Sequence, residues 1–368
     1  MPQLDPDPMQ LDSPKRLLSK LLTPLLMVAP FFLWGTAMVA MKGTMSHTTP
    51  FFVAGVRLLP AGFLVLATAW LLGKPQPQTW KAWAWILLFA LVDGALFQGF
   101  LAQGLARTGA GLGSVLIDSQ PLLVAVLSWW LFREKIGAWG WLGLGIGILG
   151  ISAIGLPDEW IIGVFEGKAI ALAANADGLF RSGEALMLLA SISMGVGTVM
   201  VRFVSRHVDP VVATGWHMIL GGIPLFVWSG VGEVGQWQDL DRSGWLALGY
   251  TAVFGSAIAY GLFFYFAARG NLTSLSALTF LTPVFALLFS YLFLTEVLSA
   301  LQWAGVCLTL VSVALIEQRH HLADCLSFDR LAWWLSDRKG DRPSLPSARQ
   351  TSIDVPIRVR LKKSESEV

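Results

Sequence analysis

Four ionisable residues stand inside long apolar stretches of this sequence: Arg57, Asp93, Asp118 and His217. A charged group in the hydrocarbon core of a bilayer costs about 3 kcal/mol or more, so such residues are rare there unless they have a function. A carboxylate can take up a proton or meet a cationic part of a substrate. The four residues are therefore the first candidates for substrate binding or ion coupling.

The positions of these residues suggest how they interact. Arg57 and Asp118 each lie about seven residues, near 10 Å of helical rise, below the outer end of an apolar segment, so their equal depth permits an ion pair. Asp93 lies near the middle of its segment. His217 can change charge near neutral pH, which suits a gate or a proton relay. A structural Arg57–Asp118 ion pair and a structural, hydrogen-bonded His217 are the alternatives.

Aromatic and amide side chains in the same stretches are candidates for the wall of a binding cavity. A few polar tips among apolar faces suit an amphipathic solute. The alternative is that these rings face lipid or pack between helices. The predicted lining residues are Trp34, Gln98, Tyr260, Phe264 and Tyr265.

Two prolines, Pro121 and Pro283, fall inside apolar segments. A proline within a helix removes one backbone hydrogen bond and favours a bend. Irregular backbone at membrane depth is tolerated where it lines a cavity, so both positions predict helix interruptions near a central site.

No pattern in the sequence predicts catalysis, a metal site or a cofactor. Gly145, Gly147 and Gly150 match a dinucleotide-binding spacing, but they lie in an apolar segment with no strand before them, so helix packing explains them better. Cys307 and Cys325 are too few for a disulfide framework. We expect no enzyme activity and no nucleic-acid partner.

Composition sets the class of protein that must position these residues. Of 368 residues, 55% are hydrophobic and 14% charged, and the mean hydropathy is +0.62. These values indicate an all-α integral membrane protein, since about 20 apolar residues span a bilayer as a helix. Ten spans are predicted, at residues 21–41, 50–72, 82–103, 111–132, 139–156, 184–203, 210–228, 245–267, 275–294 and 301–316.

An internal duplication is the strongest signal in the chain. A shift of 160 residues aligns Gly35 with Gly195, Pro50 with Pro210 and Gly62 with Gly222. A shift of 162 aligns Trp83 with Trp245, Pro121 with Pro283 and Glu134 with Glu296. Shared membrane composition is the alternative, but agreement of rare residues at one offset favours a repeat.

Each repeat has an odd number of spans, so the second copy enters the membrane from the opposite face. The sequence therefore predicts ten transmembrane helices arranged as two inverted five-helix repeats. Inverted repeats are a recurring architecture of secondary transporters, which bind their substrate near mid-membrane between the two halves.

These segments also resemble a known family. The segment WGTAMVAMKG around Trp34, the Arg57 that follows it, Pro121 and the REK around Glu134 are similar to EamA-type permeases of the drug/metabolite transporter superfamily, and TPVFALLFSYLFLTE repeats part of the pattern. The resemblance implies ten helices, two EamA repeats and a metabolite or amino-acid exporter that hydrolyses no nucleotide. His217 stands where the first repeat has Arg57, so the halves need not share the binding task equally.

The predicted organisation has five parts. They are a cytoplasmic tail (1–20), a first EamA repeat (21–156), a connecting loop (157–183), a second EamA repeat (184–316) and a cytoplasmic tail (317–368) with a possible interfacial helix at residues 321–335. Lys and Arg concentrate on one side of the spans, which predicts a multi-pass protein of the cell (inner) membrane with both termini cytoplasmic.

The leading functional hypothesis is a permease or exporter of a small metabolite or amino acid. It would work by alternating access between the repeats, with proton coupling suggested by the buried carboxylates. The expected partners are a small-molecule substrate, the lipid bilayer and a second copy of the chain in a homodimer. A non-transporting membrane receptor or scaffold with the same fold is the alternative, and an intramembrane enzyme is a weaker one.

Overall fold

A computed structural model describes residues 14–107, 116–155, 183–294 and 299–325, and every regular element in these ranges is helical. The chain divides into a compact unit of Met1–Leu322 and a second unit of Ala323–Val368, of which only 323–325 are described. The predicted connecting loop, most of both tails and Glu296 lie outside the described residues.

Eleven helices are named here in chain order. The third and eighth are composite helices with a π-helical centre, and a 3-10 turn at Leu278–Phe280 separates the ninth from the tenth. The bounds are α1 Pro14–Thr44, α2 Pro50–Leu71, α3 Trp80–Leu105, α4 Gln120–Phe132, α5 Gly137–Gly155, α6 Gly183–Val204, α7 Pro210–Gly232, α8 Arg242–Ala267, α9 Leu272–Ala277, α10 Leu281–Leu294 and α11 Ala300–Cys325.

Six of the described helices are long and apolar enough to cross a membrane: α1 (over Leu22–Met41), α2, α3, α6, α7 and α8. Four shorter apolar helices lie at Gln120–Phe132, Gly137–Ala153, Leu272–Ala286 and Ala300–Ile316. α1 and α11 extend beyond the apolar segments that predicted them. Polar residues such as Lys, Arg and Gln are good helix formers, so a helix can continue outside the apolar stretch.

Local sequence explains where several helices start. Pro50 and Pro210 occupy the first turns of α2 and α7, where a missing N–H costs nothing. Asp209 caps α7 by accepting a hydrogen bond from the Val211 N–H at 3.0 Å. Asn271 caps α9 in the same way through Ser274.

The helices α2 and α7 form the most extensive contact between the two halves in the described part of the chain. Gly55, near the start of α2, faces Phe226 near the end of α7, and Gly215, near the start of α7, faces Leu66 near the end of α2. The two helices are therefore antiparallel. Gly55 and Gly215 are equivalent positions of the repeat, and so are Leu66 and Phe226, so the contact has approximate two-fold symmetry.

Other contacts between the halves occur in matching pairs. α1 packs on α8 and α10, and its counterpart α6 packs on α3 and α4. Likewise α2 packs on α8 while α7 packs on α3. An interface in which each contact has a reciprocal partner is the signature of a two-fold relation.

Polar contacts hold both ends of the α2–α7 pair. At one end the Glu233 carboxylate accepts hydrogen bonds from the Thr49 hydroxyl (2.6 Å) and the Phe51 (2.9 Å) and Phe52 (3.1 Å) N–H groups at the start of α2. At the other end Lys74 pairs with Asp209 at 2.9 Å. The α2–α7 pair is therefore fixed across its whole length.

Candidate functional site

A cavity lies between the two halves, and we call it the central cavity. Side chains of α1, α2, α3, α6 and α8 line it together with residues of the two irregular segments that precede α4 and α10. The volume in which the centre of a water molecule fits is about 50 Å³, which is enough for only a few waters. The central cavity is therefore small. The polar lining residues are Trp34, Arg57, Asp118, Tyr260, Thr279 and Thr282.

Arg57 brings a buried cation to the central cavity. Its side chain donates a hydrogen bond from Nε to the Ser256 hydroxyl at 3.3 Å and another from Nη1 to the Met41 sulfur. Tyr260 lies beside it. Ser256 and Met41 are neutral, so neither of these two hydrogen bonds neutralises the guanidinium.

Asp118 stands at a break in the helix before α4. Residues 116–117 are helical, Asp118 and Ser119 form a turn, and α4 starts at Gln120 with Pro121 next to it. Asp118 lines the same cavity as Arg57, but the hydrogen bonds of Arg57 go to Ser256 and Met41. An ion pair between Arg57 and Asp118 stays a prediction.

The second half has an irregular segment at the corresponding place. The 3-10 turn Leu278–Phe280 lies 162 residues after positions 116–118, and Pro283 follows within the first turn of α10. Thr279 of this segment and Thr282 in the first turn of α10 line the central cavity. Both halves thus present irregular backbone to the cavity, as is typical of sites built at discontinuous helices.

Two buried polar atoms on the wall of the central cavity lack a hydrogen-bond partner among the described residues. They are the indole Nε1 of Trp34 and the hydroxyl of Thr282. Buried polar groups are nearly always hydrogen-bonded, so unpaired ones in a cavity are candidates for contact with a ligand.

Asp93 and His217 form a separate buried pair between α3 and α7. The Asp93 Oδ2 lies 3.2 Å from the His217 Nε2, and the two side chains are 0% and 1% exposed. Apart from this contact, the carboxylate oxygens of Asp93 have no hydrogen-bond partner among the described residues. Neither residue lines the central cavity.

The remaining predicted residues fall into three places. Trp34 and Tyr260 line the central cavity, with ring centroids 5.0 Å apart. Gln98 lies behind the cavity wall and donates to the Tyr260 hydroxyl at 2.9 Å, and Phe264 packs between Tyr260 and His217. Tyr265 lies away from the cavity, with the Arg269 guanidinium 4.0 Å above its ring.

π-helical segments occur in both halves and were not predicted. They cover Ala90–Phe97 in α3 and Val253–Ile258 in α8, which are equivalent positions of the repeat. Asp93 lies in the first and Ser256 in the second. π-helical turns are rare and are often found at functional sites.

Glu134 has a role that the sequence did not reveal. It follows α4, and its carboxylate accepts hydrogen bonds from the Leu272 N–H (3.2 Å) and from the Thr273 N–H (3.4 Å) and hydroxyl (3.0 Å) at the start of α9. It also pairs with Arg202 at 3.1 Å. A carboxylate at a helix N-terminus is stabilising, so Glu134 caps a helix of the other half.

We expect Glu134→Ala to lower the free energy of unfolding by about 1 to 2 kcal/mol, because the start of α9 loses three hydrogen bonds and Arg202 loses its ion-pair partner. Glu134→Gln keeps an acceptor and should cost less. Thermal unfolding in detergent measures both, with the exposed Lys135→Ala as control. Equal midpoints for the alanine variants at 134 and 135 would contradict the capping role.

This arrangement of apolar helices, buried charges and a small cavity between two related halves is that of a multi-pass membrane transporter. The chain belongs to the EamA-like transporter family, whose model matches residues 21–156 and 181–318. The predicted family is thereby confirmed, and the protein is a membrane transporter of the drug/metabolite type.

Named relatives agree with this assignment. The chain is 64% identical to an uncharacterized transporter of Synechocystis, over 81% of this chain and 90% of that protein. It is 51% identical to a WAT1-related chloroplastic protein of Arabidopsis thaliana, over 79% of this chain and 68% of that protein. An uncharacterized inner membrane transporter of Escherichia coli K12 is 26% identical, over 80% of this chain and 90% of its own length.

A solved protein structure shares the fold. It matches with a TM-score of 0.65 and 18% sequence identity, over 80% of this chain and 97% of the matched chain.

Proposed function

We propose that the protein is a secondary transporter that carries a small metabolite or amino acid through the central cavity. The observation that carries this proposal is the pair of opposite charges, Arg57 and Asp118, on the wall of one cavity between the halves. Buried charges inside a membrane protein cost free energy and mark substrate or ion pathways.

The cavity wall favours a solute that is apolar in part and charged at both ends. Met38, Met41 and Met194 supply a soft apolar surface, and Trp34 and Phe97 add aromatic faces. Arg57 suits a carboxylate and Asp118 suits an ammonium group. An amino acid or a similar zwitterion fits this chemistry.

Alternating access between two inverted five-helix repeats is the proposed mechanism. The antiparallel α2–α7 contact between equivalent positions supports an inverted relation, since a two-fold axis in the membrane plane produces it. Six long and four shorter apolar helices supply the proposed ten spans. The small cavity then corresponds to an occluded state, and opening toward one side or the other would admit or release the solute.

Orientation and direction are also proposed. The Lys and Arg pattern favours cytoplasmic N- and C-termini in the cell (inner) membrane, and the resemblance to exporters favours outward transport. Coupling to protons would supply the driving force.

The proposal is tested first by untargeted metabolite profiling of cells that lack or overproduce the protein. A solute whose level inside cells falls on overproduction is then assayed for flux in proteoliposomes. We expect saturable flux that needs the protein. Absence of flux across a broad panel of candidates would instead favour a non-transporting receptor or scaffold, which would use the buried charges for structure alone.

A further inference from the structure

We propose that Asp93 and His217 form a proton-binding site of the transporter, distinct from the central cavity and linked to it through Tyr260. The inference rests on the proposed function, because it assigns a site to the coupling of transport to protons. Substrate would bind at Arg57 and Asp118, and the proton would bind between α3 and α7.

The first argument is the isolation of the pair. Both oxygens of Asp93 and the Nδ1 of His217 lack hydrogen-bond partners among the described residues, and the residues are fully buried. A lone buried carboxylate is strongly unfavourable unless it is paired or protonated. The carboxylate and imidazole together hold one proton at lowest cost, and binding or loss of a proton changes the charge of the pair.

The second argument is the lack of other charges around the pair. α7 contributes His217, α6 contributes the side-chain-free Gly197, and α8 contributes Phe264 and Tyr260. On α3 itself the ring of Phe89 lies 4.3 Å from the imidazole. Among the described residues, His217 and Tyr260 are thus the titratable groups that face Asp93, and Arg57 lies beyond Tyr260. The charge of the pair depends mainly on its own proton.

The third argument is a polar path to the cavity. Gln98 lies five residues after Asp93 on α3 and donates to the Tyr260 hydroxyl at 2.9 Å, while its own Oε1 lacks a partner. Tyr260 lies beside Arg57 and lines the central cavity. Asp93 also interacts electrostatically with Tyr260, so a change of charge at Asp93 acts on a residue of the cavity wall. The π-helical turn that carries Asp93 gives α3 a second hydrogen-bond register at this point.

The fourth argument is that the site exists in one half alone. Asp93 lies against Gly197, where an added methyl would come 2.7 Å from the Asp93 Cβ. In the other half, Gly255 occupies the position equivalent to Asp93, and Ala37 occupies the position equivalent to Gly197. The glycine therefore lies on the other helix of the contact, and an added methyl on Gly255 would come 2.5 Å from the Ala37 Cβ. The glycine at 197 thus makes room for a carboxylate that packing alone does not require.

This exchange supplies a matched control. The double variant Asp93→Gly/Gly197→Ala reproduces the Gly255 and Ala37 packing of the other half and removes the carboxylate. We expect it to fold, whereas Gly197→Ala alone should be destabilised by collision with Asp93. Asp93→Asn removes the titratable group with almost no change of shape.

The binding of protons is measured without substrate, on the full chain in lipid nanodiscs, by infrared difference spectra between about pH 5 and 8, the range in which histidine pairs titrate. We expect a carboxyl band that changes with pH. It should disappear in Asp93→Asn and in the double variant, shift in His217→Asn, and persist in Lys74→Gln, which breaks an ion pair of the same interface. A spectrum of Asp93→Asn identical to that of the unmodified protein would overturn the proposal.

Transport assays distinguish a failure of the proton-site proposal from a failure of the proposed function. With the solute found by metabolite profiling, we expect a pH gradient to stimulate flux in the unmodified protein. In the folded double variant, the stimulation of flux by the pH gradient should be at least tenfold smaller, while solute exchange without a gradient continues. No flux in any protein would contradict the proposed function and leave the spectroscopic result standing. Full gradient stimulation in the double variant would overturn the proton site.

Discussion

Gly221→Ala is expected to destabilise the protein more than any other glycine-to-alanine change in α7. A methyl group on Gly221 would lie 2.5 Å from the Gly94 Cα and 2.9 Å from the Ala90 carbonyl oxygen. These are backbone atoms of α3, so no side-chain rotation relieves the collision and the two helices must separate. We expect a loss of at least about 3 kcal/mol, the upper part of the range for overpacking.

The matched control is Gly261→Ala in α8, where the added methyl meets open space. Alanine has the higher helix propensity by up to about 1 kcal/mol, so this variant should be as stable as the parent or slightly more. Thermal unfolding in detergent, followed by circular dichroism, measures both. Similar midpoints for the two variants would show that α3 and α7 are not in direct backbone contact.

Arg57→Gln is expected to give the largest loss of transport, at least tenfold in initial flux. The substitution removes the buried cation but keeps a polar side chain that can still meet Ser256. Removing one member of a buried charge pair generally costs several kcal/mol, so a substrate carboxylate that relies on Arg57 should bind far more weakly. Arg57→Lys keeps the charge and should retain more flux than the glutamine variant.

Flux is measured in proteoliposomes with the solute from metabolite profiling. The control is Arg206→Gln, an exposed arginine that lies over the Phe203 ring. It removes the same charge from the surface and should transport normally. If Arg57→Gln folds and transports as well as Arg206→Gln, then Arg57 is structural and takes no part in binding the solute.

The helices were largely predictable from apolar segments. The span predicted at residues 210–228 is α7, Pro210–Gly232, because Pro210 starts the helix and hydrophobicity continues to its end. The π-helical segments could not be predicted in this way, since a change of hydrogen-bond register in the backbone leaves no mark on hydropathy.

The candidate site was predictable in its members and not in its geometry. Depth along a helix placed Arg57 and Asp118 at one level, and both line the central cavity. The contact between Asp93 and His217 joins two repeats, so it depends on how the halves pack and not on spacing within either one. The same holds for Glu134, whose carboxylate caps a helix of the opposite half. Ser256 and Thr282 were missed because hydroxyls are common and uncharged.

The exchange of small residues between the halves has a thermodynamic consequence. In the proposed alternating-access cycle, an exact duplicate would have inward-open and outward-open forms that are related by two-fold rotation and equal in free energy, so half of the molecules would rest in each. Asp93 with Gly197 in one half and Gly255 with Ala37 in the other break that degeneracy. One of the two open forms should therefore predominate at rest, and the sequence itself determines the face of the membrane to which the empty site is open.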